Sequence, residues 1–427
     1  MGELAPRVTF GHVLRNRRFL VIWLAQLVSS FGDWLALVAL FSLVTFRWDA
    51  PADHVSGLLL SFVLPVAFLG PLAGVFVDRW NLKRTMITSD LLRGVLAASL
   101  AFASELWQVY ALIFLLSVVS TFFSPAQATM VPLVVRKEEL LVANSLNSQT
   151  MHLTKVLGPA AAGALVAWAG ERACLLLDAF SFVVSAALLA RLTAARPPAQ
   201  AGPGIRSVLE HLAEGFRFLW RHRALRFVVT AMIAAIFAIG AFDALIAVYV
   251  RDIIGGGSGM FGALISVVGA GTIFGSLAVG RFAQHAPRVL TVVGGIFGLG
   301  LGIGLLALAG KSWAALGASL WVGATVAAVL VPSQTLTQEE TPAALLGRVS
   351  STSMSLLTVS QLVAIAVAGK LAEWIGIKNL YYGAALLLML IGAVGFAYAR
   401  ASRLGQQPVS ARSPAEEPRE ILTDRRA

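Results

Sequence analysis

Long apolar runs separated by short polar gaps extend through almost the whole chain. A helix that crosses a membrane needs about 20 largely apolar residues, and on that basis the pattern predicts twelve spans. An even number of spans puts both ends of the chain on the same side of the membrane. The predicted spans are 19–44, 55–77, 86–104, 107–131, 143–169, 172–193, 226–250, 258–281, 288–310, 312–336, 347–373 and 378–400.

The longest internal polar gap divides these spans into two sets of six. We therefore predict an N-terminal half at 1–193, a linker at 194–225, a C-terminal half at 226–400 and a cytoplasmic tail at 401–427. The linker opens with ARPPAQAGPG and continues as SVLEHLAEGFRFLWRHR, whose apolar residues recur at helical spacing. That pattern predicts an amphipathic helix on the inner membrane surface, with an ordinary amphipathic connector as the alternative. The tail is polar and contains proline, so it is predicted to be disordered.

The two halves resemble each other in sequence. Val-Pro and then a Glu-Glu pair follow span 4 in VPLVVRKEELL, and the same features follow span 10 in VPSQTLTQEETPAALL. Asp33 in span 1 likewise has a counterpart in Asp243 of span 7. Two related six-span halves favour a pseudo-symmetric transporter with its site between the halves.

The distribution of basic residues predicts the orientation. Most of the 33 Lys and Arg residues lie in the termini and in the loops on the same side as the termini. Because loops rich in Lys and Arg stay in the cytoplasm, we expect a multi-pass protein of the plasma membrane with both termini cytoplasmic. The opposite loops contain only Arg47, Arg172, Arg251, Lys311 and Lys378.

Composition excludes several other classes of protein. The chain is 58% hydrophobic and 13% charged, with a mean hydropathy of +0.80, whereas soluble domains carry about 25% charged residues. Its net charge of +11 lies in the gaps between apolar runs, which does not fit a nucleic-acid-binding face. The six histidines are scattered and Cys174 is the only cysteine. We therefore expect no metal, no cofactor and no enzyme active site, and the chain has no Walker sequence for ATP.

GVFVDRWNLKR, between spans 2 and 3, resembles the signature loop of the major facilitator superfamily, Gly-x-Leu-Ala-Asp-Arg-x-Gly-Arg-Arg/Lys-Arg/Lys. The sequence departs from that pattern at Asn81 and Leu82. The resemblance covers roughly residues 10–400 and implies an all-α membrane fold of twelve helices in two pseudo-symmetric halves. The matching residues are Gly74, Asp78, Arg79, Lys83 and Arg84.

Asp78 stands at the C-terminal end of span 2, where a helix already carries partial negative charge. The resemblance implies that it meets the N-terminal end of span 11, near Arg348–Ser351, and that Gly74 lets the two helices touch. We expect this contact to close the inner side when the protein faces outward. The second half has Gly280 before Arg281 in place of an acid, so this predicted latch is one-sided.

Three further segments resemble the branch of drug:proton antiporters that includes macrolide-efflux proteins and the enterobactin exporter. They are SDLLRG after the loop, FFSPAQATMVPLVV at span 4 and EELLVANSLNS before span 5. In span 5, GPAAAG resembles the antiporter motif Gly-Pro-x-x-Gly-Gly through Gly158, Pro159 and Gly163. Routine packing of small residues is the alternative. Span 4 contains no charge, so it lacks the arginine that many members of the family carry there.

Ionisable groups within membrane spans are costly and are candidates for function. In the fold that the resemblance implies, Asp33 and Asp243 face a central cavity from opposite halves, where either can bind a proton or attract a cationic substrate. An ion pair between Asp33 and Lys155 is the structural alternative. Asp90 and Arg93 share a helix face, and we expect them to neutralise each other and to support the 2–3 loop. Asp178 is expected to be structural.

These features lead to one main functional prediction. We expect a secondary active exporter that exchanges protons for an amphiphilic small molecule such as a drug, a macrolide-like compound or a siderophore. Aromatic residues such as Trp34 and Phe123 suit a bulky amphiphile. Its partners would be substrate, protons and the bilayer, without nucleic acid, and we expect a monomer. Lysophospholipid or lipid flipping is the alternative within transport; a membrane enzyme or a non-transporting sensor fits less well.

Overall fold

The structure is a computed structural model that describes residues 9–192, 205–282 and 286–401. Within these ranges the chain forms α-helices joined by short turns, with no strand. The helices are α1 (Phe10–Leu14), α2 (Arg17–Ser42), α3 (Ala52–Val77), α4 (Leu82–Leu100), α5 (Leu106–Val134), α6 (Leu140–Ala169), α7 (Glu171–Ala190), α8 (Ile205–Arg221), α9 (Arg223–Tyr249), α10 (Ser258–Phe282), α11 (Arg288–Leu308), α12 (Ser312–Glu340), α13 (Ala343–Ile375) and α14 (Ile377–Ala401).

Helices α2–α7 and α9–α14 correspond to the twelve predicted spans, and every predicted boundary lies within four residues of the observed one. In the described part of the chain, ten of these helices are long and apolar enough by themselves to cross a membrane. The other two, α4 and α6, carry charged or polar residues along their length. They reach the required length and pack against apolar neighbours: α4 between α5 and α7, and α6 between α2 and α10.

Matching local features occur in the two halves. Helix α2 continues into a π-helical turn at Leu43–Arg47, and α9 does the same at Val250–Ile254. The turn between α6 and α7 is the single residue Gly170, with φ of 84°, and the turn between α13 and α14 is Gly376, with φ of 82°. Glycine adopts such positive φ values without steric cost. These repeats agree with the pseudo-symmetry that the sequence predicted.

The two Glu-Glu pairs form equivalent contacts. Glu139 Oε1 lies 3.2 Å from His12 Nε2, and Glu340 Oε2 lies 3.3 Å from His222 Nε2. In each half, therefore, a histidine that precedes the first long helix is paired with a glutamate in the turn after the fourth long helix or at its last residue. We call the face of the bundle on which these contacts lie, where α2 begins and α14 ends, the terminal face.

The halves are joined mainly toward the opposite face, where α2 and α9 end. Helix α6 packs on α10, and α3 packs on α13. A Cβ atom added to Gly369 of α13 would lie 2.5 Å from the Cα atom of Asp53 on α3. The rings of Phe41 and Phe261, on α2 and α10, have centroids 5.4 Å apart. The largest apolar core extends through this region and so includes residues of both halves.

Arg251, in the π-helical turn after α9, adds polar contacts between the halves at the opposite face. Its Nη1 donates to the backbone oxygen atoms of Thr45, at 3.0 Å, and Ala50, at 2.9 Å. The same Nη1 lies 2.9 Å from Asp49 Oδ1. These three partners belong to the end of the first long helix and the loop after it, so one side chain of the C-terminal half holds the N-terminal half there.

The helix predicted in the linker is α8, and it lies at the terminal face. Residues 193–204 and the predicted disordered segment from 402 onward fall outside the described residues. A Cβ atom at Gly215 would lie 2.4 Å from the backbone oxygen of Arg348, and Thr352 Oγ1 donates to the backbone oxygen of Leu212 at 3.1 Å. Helix α8 therefore packs closely on α13. The stacked side chains of Phe216 and Trp220 remain exposed, as a membrane-facing surface requires.

Candidate functional site

A cavity of about 470 Å³ lies among the helices of the N-terminal half. Most of its wall is apolar, and Trp34 and Phe123 contribute to it, as expected for an amphiphile site. Asp33, Arg93, Lys155 and Asp178 also line it. The remaining lining residues are Gln26, Ser29, Ser30, Ala36, Leu37, Leu40, Leu58, Leu59, Phe62, Leu100, Ile113, Leu116, Ser120, Ser124, Gln127, Met151 and Thr154.

Asp33 and Asp178 meet where α2 and α7 approach each other. The side chain of Asp33 is exposed into the cavity, whereas Asp178 is 1% exposed. A Cβ atom added to Gly32 would lie 2.5 Å from Asp178 Oδ1 and 2.2 Å from Ser181 Oγ. Because residue 32 is a glycine, the carboxyl group of Asp178 has room to lie against α2. The sequence did not identify this proximity, because Asp178 lies 145 positions from Asp33 along the chain.

Arg93 is the cation that lies within electrostatic range of both carboxyl groups. It is buried and donates through Nη2 to Asp90, whose other oxygen accepts a hydrogen bond from Ser185 Oγ at 2.6 Å. The guanidinium lies 4.3 Å from the ring centroid of Phe123 and 4.4 Å from that of Phe182. A desolvated guanidinium over an aromatic face is stabilised by about 2 kcal/mol. The protein thus holds a positive charge beside α5 without placing an arginine on α5.

The predicted pairing of Asp90 with Arg93 is observed, but the expected location was wrong. The pair does not support the 2–3 loop; it lies within the bundle between α4, α5 and α7, and Arg93 reaches the cavity wall. Asp178 was expected to be structural, and it also lines the cavity. Residue spacing along one helix shows that two side chains share a face, but it does not show what that face meets.

Lys155 is exposed into the same cavity from α6. Among the described residues it forms no ion pair within 4 Å, so the alternative pairing of Asp33 with Lys155 is not present in this structure. Lys155 instead lies within electrostatic range of Asp243, which is half-buried on α9 of the other half. These two ionisable groups therefore lie near each other, one in each half.

Asp243 is not the positional equivalent of Asp33. Asp33 lies ten residues before the π-helical turn of its half, and Asp243 lies seven residues before the matching turn. Three residues of helix correspond to about 4.5 Å along the axis and most of one turn. The residues that line the cavity all belong to the N-terminal half. The prediction that the two acids face one cavity from opposite halves was therefore wrong for this structure.

Uncharged polar residues complete the cavity. Gln127 on α5 donates to Gln26 on α2, and Ser29, Ser30 and Thr154 add hydroxyl groups to the wall. These residues gave little signal in the sequence, because Ser, Thr and Gln also occur singly in membrane helices. They offer hydrogen bonds at several points around an otherwise apolar volume, which suits a ligand that is itself mostly apolar.

Each glycine of the GPAAAG segment has a distinct neighbour. A Cβ atom at Gly158 would lie 2.7 Å from Trp34 Cδ1, so this glycine admits the indole that lines the cavity. A Cβ atom at Gly163 would lie 2.6 Å from the backbone oxygen of Ser258 on α10. The segment therefore packs against the cavity on one side and against the other half of the protein on the other.

The residues of the GVFVDRWNLKR loop lie at the terminal face, away from the cavity. Asp78, Arg79 and Arg84 are exposed, and Lys83 Nζ donates to the backbone oxygen of Ala190 at 2.7 Å. Throughout the described ranges the side chain of Asp78 has no hydrogen bond and no ion pair. No atom described there lies within 4 Å of a Cβ atom built on Gly74.

The other predicted partner in the latch, Arg348 near the start of α13, makes a different contact. Arg348 forms an ion pair with Glu214 of α8. The halves are therefore in contact near the opposite face, through Arg251 and Gly369, and the predicted contact at the terminal face is not made between the described residues. That arrangement is the one expected when the predicted latch is open, so the latch stays a prediction.

The Major Facilitator Superfamily model matches residues 22–364 of this chain. The chain belongs to this superfamily. It is 30% identical over 396 residues to the uncharacterized MFS-type transporter YfiS of Bacillus subtilis (strain 168), covering 90% of this chain and 93% of that protein. The family agrees with the resemblance seen in the sequence, and so does the fold of the described residues, which is all-helical with twelve long helices. The chain is therefore a multi-pass membrane transporter.

Two relatives with named activities are more distant. Macrolide efflux protein A of Streptococcus pyogenes is 24% identical, over 88% of this chain and 95% of that protein. The multidrug efflux pump Tap of Mycolicibacterium fortuitum is also 24% identical, over 88% of this chain and 94% of that protein. This superfamily member therefore has relatives among macrolide and multidrug efflux proteins.

Solved structures of transporters share the fold. A point mutant of the nucleoside transporter NupG superposes with a TM-score of 0.72 at 13% identity, covering 90% of this chain and 99% of that one. A bacterial homologue of the lysosomal transporter Spinster, in an inward-facing and unoccupied conformation, gives 0.69 at 13% identity, covering 92% and 99%. In the described residues no group of three His, Cys, Asp or Glu side chains could hold a metal ion.

Proposed function

We propose that this transporter exports an amphiphilic small molecule in exchange for protons. The observation that carries the proposal is the 470 Å³ cavity, in which Asp33 is exposed among apolar and aromatic walls. An exposed acid in such a cavity can exchange protons with water while a ligand occupies the apolar surface beside it. The named relatives support export rather than uptake, since they are efflux proteins.

Asp33 and Asp178 together supply the coupling chemistry of the proposal. Two neighbouring carboxyl groups do not both ionise readily, and the nearby guanidinium of Arg93 is already paired with Asp90. We therefore assign one proton to the pair, and Asp33 is the member whose side chain is exposed to the cavity, whereas Asp178 is 1% exposed. A cationic or polar substrate group that approaches Asp33 favours loss of this proton, which couples binding of substrate to release of the proton.

Alternating access of the two halves would expose this site to each side in turn. We propose that the terminal face is cytoplasmic, because Lys and Arg are concentrated in its loops and termini. Protons then enter from the opposite face as substrate leaves. Lys155 and Asp243 lie at the boundary of the halves. We propose that the distance between these two side chains changes during this motion.

The proposal is tested in proteoliposomes with an imposed pH gradient. Purified protein is first screened by thermal shift against drugs, macrolides, siderophores and lysophospholipids, and the best ligand is then used for flux. Asp33→Asn should abolish substrate-dependent proton flux. Glu138→Gln is the matched control, because Glu138 lies in the turn after α5, exposed and outside the cavity, and should retain flux. Unchanged flux in Asp33→Asn contradicts the assigned role.

The ligand screen also separates the competing activities. Stabilisation by drugs or macrolides supports the proposal. Stabilisation by lysophospholipids alone, with flux that does not depend on the pH gradient, would replace it by lipid flipping. A deletion strain that accumulates no more drug or dye than its parent would also argue against export.

A further inference from the structure

A second pocket, of about 600 Å³, opens at the terminal face of the N-terminal half. It lies between the short helix α1, the start of α2 and the end of α5. Arg15, Arg17, Arg18 and Arg136 line it, so four guanidinium groups surround one volume. The other lining residues are His12, Asn16, Leu133, Val134, Val135 and Glu139.

The positive charge of this pocket is not neutralised from within. Glu139 is the one acidic residue that lines it, and that carboxylate already accepts from the backbone nitrogen of Arg136 at 3.0 Å and lies 3.2 Å from His12. Among residues 9–192, 205–282 and 286–401, none of the four guanidinium groups has a hydrogen bond or an ion pair. All four are exposed to the pocket or its mouth.

Hydrogen bonds hold the wall of the pocket in place. The side chain of Asn16 donates to the backbone oxygen of Val134 at 2.7 Å and accepts from the backbone nitrogen of Arg18 at 3.1 Å. It thereby fixes the start of α2 against the end of α5. The pairing of His12 with Glu139 fixes α1 against the turn that follows α5. These contacts therefore fix the backbone segments from which the four arginine side chains extend.

The pocket lies at the depth of lipid headgroups. Arg17 and Arg18 are the first residues of α2, a helix long and apolar enough to span the membrane, and Val134 is the last residue of α5. Leu133, one residue before that end, is 45% exposed. A molecule with its anionic group among the arginines would thus have its apolar part beside α5, in the adjoining bilayer leaflet.

We propose that this pocket binds the phosphate headgroup of an anionic phospholipid from the leaflet at the terminal face. Arginine suits this ligand because its planar guanidinium donates two parallel hydrogen bonds to phosphate. Basic pockets between membrane helices are a general means of binding acidic lipids. Retention of basic loops on one side of a membrane accounts for the number of arginines. It does not account for their arrangement around one pocket, where no described residue pairs with them.

The bound lipid would join three separate segments, namely α1, the start of α2 and the turn after α5. It would stabilise the N-terminal half as a unit without entering the transport cavity. The proposal depends neither on the substrate nor on the coupling ion, and binding is measured without transport.

The test is lipid binding to purified full-length protein. Native mass spectrometry would compare retention of phosphatidylglycerol with that of phosphatidylcholine in the wild type, Arg15→Gln/Arg136→Gln and the matched control Lys137→Gln. Lys137 adjoins Arg136 but does not line the pocket. We expect the double variant to lose phosphatidylglycerol retention about tenfold, a difference of about 1.4 kcal/mol, and the control to retain it. Equal retention in all three proteins overturns the proposal.

Two further arms identify the source of the phosphate. Inorganic phosphate and soluble glycerol phosphate are added during thermal unfolding, alongside short-chain phosphatidylglycerol. Stabilisation by the lipid alone, absent in the double variant, supports the proposal. Equal stabilisation by inorganic phosphate would make this a site for free anions and would overturn the lipid assignment. If the double variant unfolds in lipid-free detergent within about 2–3 °C of wild type, it is folded, and its loss of lipid binding reports on the pocket.

Discussion

Gly262 of α10 lies directly against the backbone oxygen of Pro159 on α6: a Cβ atom added to Gly262 would stand 2.2 Å from that oxygen. Pro159 belongs to the GPAAAG segment, and α10 belongs to the other half of the protein. The antiporter-like segment is therefore part of the surface along which the halves meet. Any movement of one half against the other must change this contact.

Enlarging Gly262 should push the two halves apart. We expect Gly262→Ala to lower stability by about 1–3 kcal/mol, since overpacking a close helix contact costs that much. It should also reduce transport, because α6 and α10 can no longer approach as closely. Thermal unfolding and flux measure the two effects. Gly280→Ala on the same helix is the control, because no described atom lies within 4 Å of a Cβ atom there; equal losses in both variants would contradict this reading of the contact.

Removing Arg93 should leave Asp90 buried without its cation. We expect Arg93→Met to destabilise the protein by about 3–5 kcal/mol, as breaking a buried ion pair does. The double variant Asp90→Leu/Arg93→Met removes both charges and should recover most of that stability. Thermal unfolding of Arg93→Met, Asp90→Leu and the double variant forms a complete cycle. Additive losses would show that the two side chains do not act as a pair.

Arg251 should hold the opposite face closed. Arg251→Ala removes the hydrogen bonds to Thr45 and Ala50, worth about 1 kcal/mol each, so the population with this face open should increase by about 30-fold. Spin labels at His54 and Glu373, in a Cys174→Ser background, would report the distance between α3 and α13. Arg47→Ala is the matched control, because Arg47 pairs with Glu171 of its own half. An unchanged distance distribution in Arg251→Ala would rule out this role.

Asp78 should matter only when the terminal face is closed. Because its side chain is exposed and unpaired here among the described residues, Asp78→Asn should change unfolding by less than about 0.5 kcal/mol. It should nevertheless slow turnover while leaving substrate affinity unchanged, since the predicted latch forms in the other state. Glu138→Gln, another exposed acid of the same face, is expected to transport normally. Normal turnover in Asp78→Asn would leave the loop with a purely topological role.

The apolar pattern was sufficient to predict the twelve long helices, because each must cover a membrane thickness with side chains that tolerate lipid. Even α4 and α6, with their polar residues, were located within four residues. The Glu-Glu repeats predicted related halves. In the structure one glutamate of each pair, Glu139 or Glu340, makes the same kind of contact with a histidine. These features are local, so the residues close to each helix in the sequence are sufficient to predict it.

Which residues form the site depends on the orientation of each helix about its own axis and on the helices against which it packs. Asp178 and Arg93 reach the cavity only because α7 packs against Gly32 and α4 packs against α5. Asp243, which the sequence paired with Asp33, lies about one turn away from the equivalent position. By itself the sequence determined the membrane fold, its halves and the charged residues within spans. The tertiary structure alone decided which of those charges share a cavity, because that depends on contacts between residues far apart in the chain.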